Sequence, residues 1–340
     1  MAQINKPSEY FNTKLYTGTG SSNAITGVGF QPDLVWVKDR DAANSHNVSD
    51  AVRGATKTIF TDAIAAEVTD ATRLTSFDSD GFSVGTSTSW NTNTNDYVSW
   101  NWKANGAGVS NTDGSITSTV SANTTSGFSI VSWVATDAVG TIGHGLGVAP
   151  KMIIGKNRTS AYHWQIGHSS IGWTNQLRFN TGASFASTQW NNTAPTSSVF
   201  SVPADYDINK DAGNNSIAYC FAEKKGFSKF GSYTGNGSTD GPFVYTGFKP
   251  AWILCKVSSG TTNDWTLLDN KRDSFNVAGK RLYPNTSGVE SETARADFTA
   301  NGFKLRGDGT DMNGSGYTYI YMAFAENPLV GTNGVPACAR

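Results

Sequence analysis

One short apolar run occurs three times in this chain and restricts its fold more than any other feature. It reads Phe30-Gln-Pro-Asp-Leu-Val-Trp-Val-Lys38, then Val148-Ala-Pro-Lys-Met-Ile-Ile-Gly-Lys156, then Phe248-Lys-Pro-Ala-Trp-Ile-Leu-Cys-Lys256. Proline is tolerated at the entry of a strand, and a continuous apolar stretch behind it marks a strand covered on both faces. The closing lysine is expected to end each strand in solvent. Three such strands predict three cores.

Other landmarks keep nearly fixed distances from Pro32, Pro150 and Pro250, as a tandem repeat requires. An aromatic residue precedes each proline (Tyr16, Trp133, Tyr233), with a phenylalanine further upstream (Phe11, Phe128, Phe227). Downstream come His46-Asn-Val-Ser-Asp50, Trp164-Gln-Ile-Gly-His168 and Trp265-Thr-Leu-Leu-Asp269, read as second strands. Arg53 and Arg272 follow their aspartates by three positions, which predicts an ion pair closing a turn rather than a catalytic pair. Unit two has His168 and Ile171 there, which argues against a shared reaction. Phe82, Phe200 and Phe303 head alternating, half-buried strands.

Each unit closes on strict alternation. Val98, Trp100 and Trp102 correspond to Ile217, Tyr219 and Phe221 and to Ile320, Met322 and Phe324, each set on one sheet face. The opposite face carries Ser99, Asn101 and Lys103 in unit one, predicting a wet face. In the other units it carries Ala218, Cys220 and Ala222, or Tyr321, Ala323 and Ala325, predicting cover by each other or by a subunit partner. Residues 61–68 fit neither period and are read as a helical turn or a long loop.

The Ser, Thr, Gly and aromatic bias, with almost no helical spacing, places the chain in the all-β class. We therefore expect three tandem antiparallel β-sandwiches, jelly-roll or lectin-like. Their bounds are an arm (1–10), unit one (11–104), a Ser/Thr/Gly linker (105–127) in which Ser115–Val120 could add an edge strand, unit two (128–226), unit three (227–327) and a loose tail (328–340). Units two and three are joined only by Lys224-Lys225-Gly226, too short for free movement. A net charge of -1 with 16% charged residues offers no field for nucleic acid or an anionic membrane. No signal peptide or membrane span is expected. Cys220, Cys255 and Cys338 have no metal or disulfide spacing and are read as buried thiols.

Several longer phrases carry a resemblance. Gly29-Phe-Gln-Pro-Asp-Leu-Val-Trp-Val-Lys38, Ser76-Phe-Asp-Ser-Asp-Gly-Phe-Ser-Val84, Trp100-Asn-Trp-Lys103, Asn111-Thr-Asp-Gly-Ser-Ile-Thr-Ser-Thr-Val120, Gly143-His-Gly-Leu146, Trp190-Asn-Asn-Thr193 and Tyr321-Met-Ala-Phe-Ala-Glu-Asn327 are similar to a family of functionally uncharacterised proteins of marine tailed bacteriophages. The resemblance covers nearly the whole chain and implies a virion structural component, often fibre-like, with no catalytic residues to carry over. It implies a place on the virion surface after assembly in the host cytoplasm, beside other proteins of tail or capsid. A homo-oligomer is expected, a homotrimer foremost, with host surface glycan as a further candidate partner.

Candidate chemistry is sparse. Trp90 with Asn91 and Asn93, and Trp190 with Asn191 and Asn192, pair an aromatic face with amides, as a sugar site needs. A polysaccharide hydrolase would need two carboxylates across a groove, for which Asp78 with Asp80 and Glu290 with Glu292 are the nearest pairs. His163 and His168 fall on opposite strand faces and do not predict a metal, whereas His144, between glycines, is read as a loop fastener. Asp205, Asp207 and Asn209 alternate as calcium ligands can, but lack the glycine and closing glutamate of a calcium loop. No cofactor and no metal is expected.

Overall fold

The computed structural model describes residues 3–179, 183–331, 334 and 336–338; the remaining positions of the expected arm and tail lie outside the described residues. Every strand ladder is antiparallel. Unit one holds β1 (Phe11–Thr17), β2 (Asn23–Thr26), β3 (Leu34–Asp39), β4 (Asn47–Asp50), β5 (Lys57–Phe60), β6 (Val68–Thr69), β7 (Leu74–Asp78), β8 (Gly81–Val84) and β9 (Asp96–Trp102). Next come β10 (Val109–Asn111), β11 (Ser118–Asn123), β12 (Phe128–Val134), β13 (Gly140–Gly143), β14 (Met152–Asn157), β15 (Gln165–His168), β16 (Asn175–Gln176), β17 (Phe185–Ala186), β18 (Val199–Val202) and β19 (Asn215–Phe221). Unit three holds β20 (Ser228–Thr234), β21 (Phe243–Tyr245), β22 (Phe248–Ser259), β23 (Thr266–Asp269), β24 (Ala278–Arg281), β25 (Ser291–Thr299), β26 (Gly302–Leu305) and β27 (Thr318–Pro328).

The same four-stranded order recurs: β1-β9-β3-β4, β12-β19-β14-β15 and β20-β27-β22-β23. The closing strand of each unit lies in the middle, flanked by the proline-led strand, whose other neighbour is the second strand. A smaller sheet built on β2-β8, β13-β18 or β21-β26 covers one face of each large sheet. Three local cores fill these sandwiches, around Phe82 and Trp90, Phe200 and Trp190, and Phe298 and Phe303. The stretch 105–127 contributes β10 and β11, which extend the large sheet of unit two beyond β12.

The other face of each large sheet does not meet solvent. All three turn it inward onto one common core that includes Trp36, Trp100, Ile154, Tyr219, Trp252 and Met322. At its centre are three residues from equivalent positions, Trp102, Phe221 and Phe324. Their ring centroids lie 6.3 Å (Trp102 to Phe221), 5.6 Å (Trp102 to Phe324) and 6.1 Å (Phe221 to Phe324) apart. The units thus surround a pseudo-threefold axis, and the proline-led strands are apolar throughout because one face serves the local core and the other the shared one. Beside the trio a void of about 20 Å³, room for a single water, is lined by Trp36, Trp164, Trp252 and other largely apolar residues. Ile4 of the arm is buried in this common core, with its N–H donated to Lys225 O at 3.1 Å.

Two expectations about strand surfaces are corrected. Lys38, Lys156 and Lys256 do not end in solvent; all three are fully buried. The Lys38 ammonium donates to Asp39 O (2.6 Å) and Ala42 O (3.1 Å), Lys156 donates to the carbonyls of Ile64, Asn157, Ser160 and Tyr162, and Lys256 donates to Asn263 O. Such a cage of carbonyl oxygens is what permits a buried ammonium. The wet face of unit one is also absent: Ser99 and Asn101 are fully buried, their side chains donating to Lys14 O and Asn12 O on β1. Cys220 and Cys255 are buried as expected, but Cys338 is exposed.

Because all three units share the aromatic centre, Phe324→Ala is expected to destabilise the whole protein by about 3–5 kcal/mol, the cost of a large core truncation. Urea unfolding followed by Trp fluorescence and far-UV circular dichroism should show one coincident transition moved to lower urea. Separate transitions, with only one shifted, would contradict a shared core.

Candidate functional site

The sugar-site candidates occupy structural positions. Trp90 sits on a single helical turn, Thr88–Asn91, and is fully buried in the core of unit one. Asn91, also buried, fastens that turn: its Oδ1 accepts from Thr19 N (2.8 Å) and its Nδ2 donates to Gly85 O (2.7 Å) and Ser21 O. Asn93 alone of this group is exposed. Trp190 is buried edge-on against Trp173 and Phe200, and Asn191 and Asn192 form the turn after it, each at φ 49°. The two groups lie in different units, and neither indole offers a face for stacking.

The remaining candidates are also held in place. Asp78 accepts from Ser76 and Ser83 and secures the β7–β8 hairpin, and Asp80, in its turn, accepts from Gly27 N and Gly29 N at 3.0 and 2.7 Å and ties that turn to the segment after β2. His144 Nδ1 accepts from Leu146 N, and its Nε2 lies 3.2 Å from Thr196 O, as a loop fastener should. Asn209 turns inward to Ala138 O and Pro203 O, away from Asp205, which pairs with Lys210.

Buried charged groups gather on two of the seams between units. Asp50 and Arg53 are both fully buried and pair at 2.5 Å; Asp269 and Arg272 repeat the pair at 2.6 Å. A glutamate joins each pair to a neighbouring unit. Glu67 accepts from Arg53 (3.1 Å) and forks with Arg158 of unit two at 2.9 Å twice. Glu290 accepts from Arg272 (3.1 Å) and forks with Arg40 of unit one at 3.0 and 2.8 Å. Tyr219 Oη donates to Asp50 at 2.7 Å and Trp100 Nε1 to Asp269 at 3.1 Å, so each aspartate also binds across its seam.

At the third seam neutral groups replace these. His168 Nε2 faces Tyr321 O at 3.2 Å, Met322 replaces the donor, and Ser184 N and Oγ donate to Ser258 O. Burial, only partly offset by that carbonyl, pushes the His168 pKa down to about 4, which keeps the ring neutral. Burial would raise Glu67 and Glu290, but the paired arginines prevail and hold both below the ordinary carboxylate range. A glycosidase acid needs the opposite shift. The networks therefore hold units together. Glu67 and Glu290 escape pattern reading because they sit in loops of irregular spacing, and only the spatial neighbour reveals their role.

One surface feature is open to a ligand. Between units two and three lies a cleft of about 490 Å³, lined by Lys151, Lys224, Lys225, Lys229, Glu223 and Tyr245. Its floor is the joint Lys224–Gly226. Gly226 has φ 75°, and a side chain there would meet Gln3, Ile4 O and Pro328 within 3.1 Å, so the joint is fixed in place. Lys229 pairs with Glu223 at 2.8 Å, Lys151 and Lys225 are exposed, and burial lowers the Lys224 pKa. Tyr245, 57% exposed, projects from β21, the outermost strand of its sheet, two positions after Phe243, 46% exposed. The cleft joins several ammonium groups to an open phenol ring, and can hold an anionic ligand by charge and a flat apolar face by contact.

A family model described as "Domain of unknown function (DUF7483)" matches residues 6–328. No curated protein and no solved structure matches the chain.

The buried lysines give a pH prediction. Burial, only partly offset by nearby aspartates, lowers the pKa of Lys38, Lys156 and Lys256 to about 8 each, against roughly 10.4 for an unfolded lysine. Between these values the unfolded chain binds more protons than the folded one, so stability rises with pH. Tyr219, buried, and Tyr16 and Tyr233, half-buried with their hydroxyls bonded inside, are raised above their ordinary value by burial of the phenol. With the buried thiols of Cys220 and Cys255, also raised by burial, they oppose the rise and reverse it above about pH 10. The urea midpoint should therefore be higher at about pH 9.5 than at about pH 7.5, and Lys256→Met should diminish the rise. A flat profile in the native chain would refute the assignment.

Proposed function

The chain belongs to this DUF7483 family, and we propose that it is a non-enzymatic structural protein on the surface of a bacteriophage particle, a tail fibre or a capsid-attached fibre or decoration. The observation that carries the reading is the architecture: one chain builds a pseudo-threefold body with a continuous aromatic core and ion networks at two seams. That construction suits a durable display part. The phrase-level resemblance to fibre-like virion proteins points the same way. Each sandwich would be jelly-roll or lectin-like in this reading.

The hydrolase alternative finds no support in its candidate acids. Asp78 and Asp80 are engaged in a hairpin, and Glu290 is held ionised between Arg40 and Arg272. The expectation of a homotrimer came from sandwich edges that need cover and from the likeness to fibre proteins. Here three units of one chain already supply threefold form around one axis, so this reading takes other virion proteins as partners in place of further copies.

Antibody raised against the chain is expected to label intact virions, at the tail for a fibre or over the head for a decoration. Absence of label from purified, intact particles would overturn the proposal. Light scattering on the purified chain should give a mass near its own 36.2 kDa. A mass three times larger would restore the homotrimer.

A further inference from the structure

We propose that the cleft between units two and three binds an acidic polysaccharide, its carboxylates on the lysines and one sugar face on Tyr245. The argument starts from the internal symmetry. Aligned on the central trio, the positions of Lys224 and Lys225 are Asn105 and Gly106 after unit one, and Asn327 and Pro328 after unit three. Aligned on the prolines, Lys151 corresponds to Asp33 and Ala251; in the register against the closing strands, Lys229 corresponds to Asn12 and Ser129. Two of the three copies thus form the same strands and joints without lysine at any of these four positions. The contrast is sharpest at Asp33, whose carboxylate accepts from Ala104 N at 2.7 Å and Gly106 N at 3.1 Å to fasten the first joint. Unit two has an exposed lysine there instead. With Lys229 paired to Glu223, the exposed Lys151 and Lys225 give the cleft a local positive field that the fold does not demand, in a chain whose total charge is -1.

The chemistry of the lining selects the ligand. Lysine ammonium groups are strongly hydrated point charges that pair with carboxylates without fixing a bidentate geometry, which suits a polymer whose charges are spaced along it. A Tyr face at the rim takes the C–H face of a pyranose, and Phe243 on the same side of β21 extends the apolar strip. The cleft is open and wide, with about 490 Å³ of space, and so admits a chain segment. Nucleic acid would need a broader basic surface than one cleft in a nearly neutral chain provides.

The inference concerns the isolated chain and does not depend on its place in a particle. Purified full-length protein is tested by biolayer interferometry against immobilised sodium alginate, neutral dextran and an oligo-dT strand. Alginate should be retained with an affinity that falls as chloride is raised, and dextran should not bind. Lys151→Glu combined with Lys225→Glu, both at exposed positions, should weaken alginate binding by about tenfold or more. The paired Lys→Arg changes should keep it. Tyr245→Ala should cost several-fold while leaving the salt dependence unchanged. An unaltered melting temperature shows that each variant is folded, and the chloride titration of the native chain tests the charge argument even if one is not. No retention of alginate, retention unaffected by the double Glu variant, equal binding of dextran, or tighter binding of oligo-dT would each overturn the proposal.

Discussion

The contact among Trp102, Phe221 and Phe324 imposes the condition that the rest of the molecule meets. Each ring stands on the closing strand of a different unit, and each touches the other two. For these rings to meet, all three sheets must present an apolar face to one axis while the reverse face remains apolar toward a smaller sheet. A single unit would therefore leave one face of its best strands in water, a loss of roughly 1.5–3 kcal/mol for each large side chain exposed. Three sheets enclose this centre, each supplying one of its three rings.

Around that centre the seams are set head to tail. The backbone N–H of Glu67 meets Arg158 O, that of Glu290 meets Arg40 O, and that of Ser184 meets Ser258 O, at 2.8, 3.0 and 3.1 Å. The geometry is thus kept at all three seams while the chemistry is not. Where the Asp–Arg pair gives way to His168 and Ile171, the facing donor has become Met322, so both sides of the seam changed together. A buried Asp opposite Met322 would lack its cross-seam donor, and a buried charge is tolerated only when paired and hydrogen-bonded.

Periodicity disclosed the strands and their pairing because each unit repeats them in one order. The proline-led run, the second strand after it and the alternating closing strand all form as their spacing predicts. The destination of polar side chains was less legible. Lys156 closes its strand as a surface lysine would, but its ammonium is caged by the carbonyls of Asn157, Ser160 and Tyr162 together with that of Ile64, 92 positions away. Ser99 and Asn101 read as a solvated face because hydrogen bonds to β1 cannot be inferred from alternation. Trp90 and Trp190 looked free for ligands because they stand outside the repeated landmarks, yet each fills a local core. Lys224, Lys225 and Lys229 are close in sequence, but Lys151, just before β14, and Tyr245, on β21, join them in one cleft only in the folded chain.

Covalent fusion of the three units has a consequence for valency. A ring of three identical subunits would repeat every surface feature three times, and any change at one joint would appear at all of them. In a fused ring each seam varies independently, and this chain carries its cluster of lysines at one seam in three. A single molecule is therefore monovalent at that cleft despite its threefold form. Avidity for a polymeric ligand would have to come from the number of copies displayed side by side.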